Sequence, residues 1–182
     1  MSASFTNQDV MRMQAFPEYD LLWSDPPWGQ SMVQYFERLM AHPPANEIEK
    51  LLVHIARLHH PGKPAFIEYS CRGYDVVRSA FSAAGHSLKN ITQAIQQASG
   101  RPFVILAFNT RLVIPEGLKG TVNIEYAINS LKPGTVFDPC AGIGVTAKAV
   151  LGCGVNYVGN ELVPARFKRL QRLSAAPEPV PA

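Results

Sequence analysis

The chain has 182 residues, 47% of them hydrophobic and 17% charged, with a net charge of +3. That length and composition fit one compact domain with a sizeable core. No apolar run approaches the ~18–20 residues of a membrane span, and Met1–Asn7 lacks the charged start and apolar core of a signal peptide. A cytoplasmic protein with no membrane partner is therefore expected.

Taken in chain order, strands and helices alternate. Strands are expected over 3–6, 19–24, 64–70, 103–109, 135–138 and 155–159, with a further one near 86–95. Helices are expected over 30–41, 45–59, 73–84, 121–131, 144–152 and 164–173. This alternation predicts an α/β sheet covered on both faces. His59-His60-Pro61-Gly62 reads as a helix stop, with the histidines suited to the negative end of the helix dipole. His54, His59 and His60 have no acidic or cysteine ligand at matching spacing, so no metal site is expected. Cys71, Cys140 and Cys153 are odd in number and far apart, which predicts free thiols. Residues 175–182, with three prolines, read as a disordered tail.

Two segments carry chemistry. The first, Ser24-Asp25-Pro26-Pro27-Trp28, follows the apolar run Leu21-Leu22-Trp23. Prolines lack an N–H, which leaves their carbonyls as outward acceptors beside the acceptor-only carboxylate of Asp25. An exocyclic –NH2 needs two such acceptors. Trp28, expected to be exposed, offers a face on which a flat base can stack, worth ~1–3 kcal/mol. The bland alternative is a Pro-rich strand-to-helix turn with a buried Trp.

The second segment runs from Thr135 to Ala149 as a short apolar strand, a Gly-rich turn and a helix start. Gly142 and Gly144 remove side chains where the backbone turns tightly and approaches a ligand, and the following helix N-terminus supplies free N–H groups. A second strand ends at Glu161, 23 positions after Asp138 (161 − 138), the spacing at which dinucleotide-binding folds place an acid on ribose hydroxyls. Glu161 is the expected ribose ligand. Position 147 is Ala, so the full G-x-G-x-x-G pattern is absent, as is any phosphate-cradling G-x-x-x-x-G-K-[ST].

With both segments in hand, the chain resembles the amino-methyltransferases, which use S-adenosylmethionine to methylate the N6 amine of adenine or the N4 amine of cytosine. Their catalytic motif, [Asp/Asn/Ser]-Pro-Pro-aromatic, is met by Asp25, Pro26, Pro27 and Trp28. Their cofactor motif, similar to Asp-Pro-Phe-x-Gly-x-Gly-Thr, is met by Asp138, Pro139, Cys140, Ala141, Gly142, Gly144 and Thr146, with Cys140 in place of Phe and Val145 inserted before the Thr. The catalytic motif precedes the cofactor motif, as in the permuted β-type members. The resemblance implies a Rossmann-like fold with a mostly parallel, circularly permuted seven-stranded sheet, forming one methyltransferase domain over 1–174. It also makes Asp9 a candidate acceptor for the cofactor's adenine amine, the alternative being an ordinary N-cap ahead of Val10.

If Asp9, Asp25, Asp138 and Glu161 all end strands, they gather at the carboxyl edge of the sheet, where open α/β folds bind ligands. The stretches around Ser87–Arg101 and Thr110–Thr121 are the expected free loops, too short for a separate target-recognition domain. Lys89, Arg101, Arg111 and Lys119 fall there as either a phosphate path or solvated charge, and Asn90 and Gln93 as candidate base readers. Arg166, Lys168, Arg169 and Arg172 read first as a solvated helix face and second as a nucleic-acid patch. The favoured reading is a DNA methyltransferase acting on adenine or cytosine, adenine first, with a homodimer or a separate partner supplying specificity. The alternatives are the same chemistry on RNA, or a binding protein that kept the fold without activity.

Overall fold

A computed structural model describes residues 1–28 and 48–174. The helix expected over 30–41 and the tail 175–182 lie outside the described residues. Seven strands form one sheet: β1 (Ala3–Thr6), β2 (Leu21–Ser24), β3 (Ala65–Ser70), β4 (Leu88–Ile95), β5 (Pro102–Phe108), β6 (Thr135–Asp138) and β7 (Asn156–Asn160). Their spatial order is β1-β7-β6-β2-β3-β5-β4. The first five in that order are parallel, while β5 runs antiparallel to both of its neighbours.

The central strands are apolar on both sides because helices cover both faces. All four residues of β2 are buried, as are six of the seven in β5, with Pro102 at the strand start where a missing N–H costs least. On one face α3 (Val122–Leu131), α4 (Val145–Gly152) and α5 (Pro164–Ser174) pack against Leu21, Trp23, Phe66, Val136 and Tyr157. On the other, α1 (Ile48–Leu58) and α2 (Asp75–Ala83) cover Leu22, Ile67, Leu106, Phe108 and Phe137.

Asp20 locks the two strands that matter most for the site. Its Oδ2 accepts from the backbone N–H groups of Gly134 and Thr135, both at 2.9 Å, and its own N–H donates to Thr135 O. The resulting register, Leu21 opposite Val136 and Leu22 opposite Phe137, aligns the carboxyl ends of β2 and β6.

Two expectations are corrected here. The 87–101 stretch is mostly strand: Lys89, Asn90 and Gln93 belong to β4, which leaves only the turn 96–101 free. Cross-strand pairing with β5 over Leu88–Ile95 bears out the strand expected near 86–95 and overrides the loop reading of the same residues. His59 does not serve as a cation at the end of α1. It is buried, with Nδ1 2.8 Å from Tyr19 Oη and Nε2 2.9 Å from Lys63 O. Burial, then the neighbouring His86, push its pKa down to about 4, so it is neutral. The three cysteines are free, as expected.

Candidate active site

The loops that follow β1, β2, β6 and β7 converge at the carboxyl edge of the sheet on a cleft of about 700 Å³, within the ~300–1,000 Å³ range of ligand sites. Both sequence motifs meet in it. Asp25, Pro26, Pro27 and Trp28 line one part, and Pro139, Cys140, Ala141, Gly142 and Thr146 line another, with Asp9 and Glu161 beyond them.

The glycine-turn end is heavily cross-linked. Asn160 Nδ2 donates to Gln8 O at 3.1 Å and to Pro139 O at 3.3 Å, while Asn160 O accepts from Ala141 N at 2.8 Å. Asn7 Nδ2 reaches back from the end of β1 to Leu162 O at 3.1 Å. Glu161 Oε1 accepts from Val163 N at 2.7 Å, and the Gly142 and Leu162 N–H groups also favour its ionised form. Burial is the larger influence and raises its pKa, with Arg166 opposing. Asp9 caps the short 3-10 turn Val10–Arg12 through Met11 N to Oδ1 at 3.0 Å and still faces the cleft. The capping alternative is therefore what the geometry shows, in a residue that also borders the ligand space.

The two glycines of the turn differ in what they avoid. Gly142 has φ +58°, and a Cβ there would meet no atom closer than Cys140 O at 3.9 Å, so the space it would enter is the cleft. Gly144 has φ +86° and does not border the cleft; a Cβ there would lie 2.6 Å from Leu173 Cδ1 and 2.8 Å from Leu170 Cδ2. Its lack of a side chain admits α5, contrary to the expected ligand approach. Asp138 also lies behind the cleft wall. Its Oδ1 accepts from Cys140 N at 2.9 Å and its Oδ2 from Tyr157 Oη at 3.2 Å, so it shapes the turn from beneath. Burial raises its pKa to about 7 against the pull of the Cys140 N–H.

The Asp-Pro-Pro-Trp end is sparsely bonded. Asp25 is an exposed residue on the border of the cleft, with protein packed around the inner side of its carboxyl. That enclosure raises its pKa to about 7, partly opposed by the Trp28 indole. The Trp28 Nε1–H is itself buried without an aligned acceptor, so its effect on Asp25 is the pull of a nearby donor short of a formed hydrogen bond. The Ser24 hydroxyl is likewise buried without an aligned hydrogen bond, near enough to Cys140 to act on its thiol. Trp28 is half-buried, contrary to the exposed aromatic expected: it stacks on Phe103 at 6.0 Å and tilts against Tyr69 at 6.5 Å, leaving only part of its surface to the cleft. Cys140 is held as a thiol, its pKa pushed up by burial and by Asp138 and Glu161.

Sequence reasoning misses two residues. Asn160 is the polar end of an otherwise ordinary strand, and only its four bonds, that from Thr6 Oγ1 to its Oδ1 at 2.9 Å included, reveal its role. Glu68 stands in the apolar run Ala65-Phe66-Ile67-Glu68-Tyr69 and accepts from Trp23 Nε1 at 2.8 Å. An acid inside a buried strand is the available signal. Of the basic candidates, Arg101 and Arg166 border the cleft. The described residues contain no cluster able to hold a metal ion and no helix long and apolar enough to cross a membrane.

No family model matches the sequence, and no curated protein does. Solved structures do match in fold. M1.HpyAVI in complex with SAM aligns at a TM-score of 0.66 and 15% identity, covering 96% of this chain and 100% of that one. The putative DNA modification methylase TTHA0409 of Thermus thermophilus, complexed with S-adenosyl-L-methionine, aligns at 0.66 and 17%, covering 95% of each. The cytosine-N4-specific PvuII DNA methyltransferase aligns at 0.64 and 10%, covering 99% of this chain and 89% of that one. The chain therefore has the α/β fold of DNA methyltransferases, a mostly parallel seven-stranded sheet with a non-sequential strand order that accords with permutation.

Proposed function

We propose that this chain is an S-adenosylmethionine-dependent methyltransferase acting on the exocyclic amine of adenine (N6) or cytosine (N4) in DNA. The observation that carries this reading is the meeting of both motifs in one cleft at the ends of adjacent strands, with Asp25 opening onto the space that the glycine turn also borders. The fold likeness to DNA methyltransferases, two of the compared structures being bound to SAM, supports it.

The residues present fit the cofactor. The space beside Gly142 that a Cβ would fill admits a ligand against backbone, and Asp9 and Glu161 place two carboxylates on the same cleft for an adenine amine and ribose hydroxyls. The cofactor supplies a methyl group on a positively charged sulfur. Asp25 and the Pro26 carbonyl accept the two N–H bonds of the target amine, turning its lone pair out of conjugation with the ring. As positive charge develops on nitrogen, the Asp25 carboxylate stabilises it, the oxyanion-hole principle with the sign inverted. Trp28, braced by Phe103, contributes its remaining surface to hold the base. A base taken from a duplex leaves its stack at a cost of a few kcal/mol.

One residue favours a second substrate: Trp28 in the fourth motif position is also what messenger-RNA adenine methyltransferases carry, so RNA is the alternative. Residues 1–174 act as one domain without a target-recognition module, and a homodimer or separate partner supplies specificity. The test is mass spectrometry of nucleosides after incubating the chain and S-adenosylmethionine with DNA or with RNA. Methylated adenine or cytosine from DNA supports the reading. Methylation of RNA alone moves it to the alternative, and none on either leaves a fold without the activity.

A further inference from the structure

The register of β2 and β3 places a second carboxyl beside the proposed catalytic one. Trp23 pairs with Phe66 and Ser24 with Ile67, where the pairing ends, and the next residues of the two segments are Asp25 and Glu68, close enough for the charge of Asp25 to act on Glu68. Alternation along a strand turns Trp23 and Asp25 to one side of the sheet and Phe66 and Glu68 to the same side. The hydrogen bond from Trp23 Nε1 to Glu68 Oε1, at 2.8 Å, fixes the Glu68 side chain on that side. We propose that Glu68 is a positioning residue of the methyl-transfer site, paired with Asp25 so that the two carboxyls share a single proton. This rests on the catalytic reading of Asp25 above.

Two carboxylates side by side raise each other's proton affinity, so the second ionises only at higher pH. The groups that act on Glu68 are Trp23 from β2, Asp25 just after it and Asp138 from β6; no cation among the described residues is among them. Burial, then Asp25, hold its pKa well above the ordinary carboxylate range, with Trp23 opposing. The proton stays on Glu68, which is the less exposed of the two and whose Oε1 is already occupied by Trp23, and the negative charge stays on Asp25, which is exposed on the border of the cleft. Glu68 thus keeps the site at one negative charge.

The transfer balances on this pair. The amine nitrogen forms its bond to the methyl carbon as the carbon–sulfur bond breaks, and the sulfonium takes that electron pair to become a neutral thioether. The nitrogen then releases one N–H proton to the Asp25 carboxylate and keeps the bonding pair. The pair is left doubly protonated until Asp25 returns its proton to water in the cleft. Asp25, whose proton affinity matches neutral pH, suits that acceptance better than an ordinary carboxylate.

The test combines infrared spectroscopy of the full chain with single-turnover methyl transfer to DNA across pH, in wild type, Glu68→Gln and Asp25→Asn. Gln keeps the acceptor for Trp23, so a merely structural Glu68 tolerates it without change. At a pH above the value of about 7 reached by Asp25 and Asp138, wild type should show the C=O stretch of a protonated carboxyl, and Glu68→Gln should lack it. In Asp25→Asn the same band should titrate away at lower pH, because the neighbouring charge is gone. The wild-type rate should rise through about pH 7 and fall again when Glu68 ionises, whereas Glu68→Gln should keep the rise and lose the fall. Should Glu68→Gln fail to fold, the band shift in Asp25→Asn decides. No wild-type band, or an unmoved band in Asp25→Asn, overturns the proposal, as does a Glu68→Gln profile identical to wild type. Absence of transfer by wild type itself refutes the catalytic reading instead, and the spectra still decide whether the pair shares a proton.

Discussion

The two ends of the cleft are built on opposite principles. At the glycine-turn end nearly every polar group is satisfied: Asn160 makes four bonds, Glu161 clasps the Val163 N–H, Asp9 caps its own turn and Asp138 accepts from Cys140 and Tyr157. At the Asp-Pro-Pro-Trp end the Trp28 N–H and the Ser24 hydroxyl form no aligned hydrogen bond. A satisfied end presents a fixed shape, which suits holding a ligand. Unmet hydrogen-bonding capacity is a cost that a chemical step repays.

Removing the proposed catalytic carboxylate tests this contrast most severely. Asp25→Ala should lower methyl transfer by at least about 10²–10³-fold, the usual cost of losing one charge-stabilising partner, read by scintillation counting of transferred methyl groups. Transfer at the wild-type rate would end the catalytic assignment.

Asp138 allows the satisfied end to be probed by pH. Its folded pKa lies above its unfolded value, so the native state holds a proton that the unfolded chain releases, and this stabilisation is full below about pH 4 and lost as pH rises through about 7. The shift from 3.8 to about 7 sets an upper limit of about 4 kcal/mol on that loss. Asp138→Asn should flatten the decline between those values in urea melts recorded across pH. An unchanged slope would mean that Asp138 titrates normally.

The glycines separate structure from binding. Gly144→Ala should destabilise the fold by about 2 kcal/mol, through the positive φ and the clash with Leu170 and Leu173, visible as a lower melting temperature. The smallest effect concerns DNA itself. With a net charge of +3 and only the turn 96–101 left free between β4 and β5, the chain alone should bind two unrelated duplexes weakly and alike, with affinity falling steeply in salt. Tight, salt-resistant binding to one of them would show that recognition resides in this chain.

What is legible in the sequence follows from how local each signal is. Strand β6 and its turn combine a short apolar run with Asp138-Pro139 and two glycines, all contiguous, and the structure forms them over the expected residues. The burial of Trp28 escapes the sequence because its stacking partner, Phe103, is distant along the chain and arrives on an antiparallel strand. The role of Gly144 depends on Leu170 and Leu173, again remote in sequence. Glu68 is silent because an acid in an apolar run gains meaning only when strand register sets it beside Asp25. His59 looks like a helix-end cation from its neighbours in sequence, yet Tyr19 and His86 bury it as a neutral base.

The division of the cleft is tested most directly by calorimetric titration of S-adenosylmethionine into wild type, Asp25→Ala and Gly142→Val. The valine carries a strained positive φ, costing about 1–2 kcal/mol, which circular dichroism must show the fold survives. The account predicts cofactor affinity close to wild type in Asp25→Ala and no measurable binding in folded Gly142→Val. Wild-type affinity in Gly142→Val, or its loss in Asp25→Ala, would contradict it.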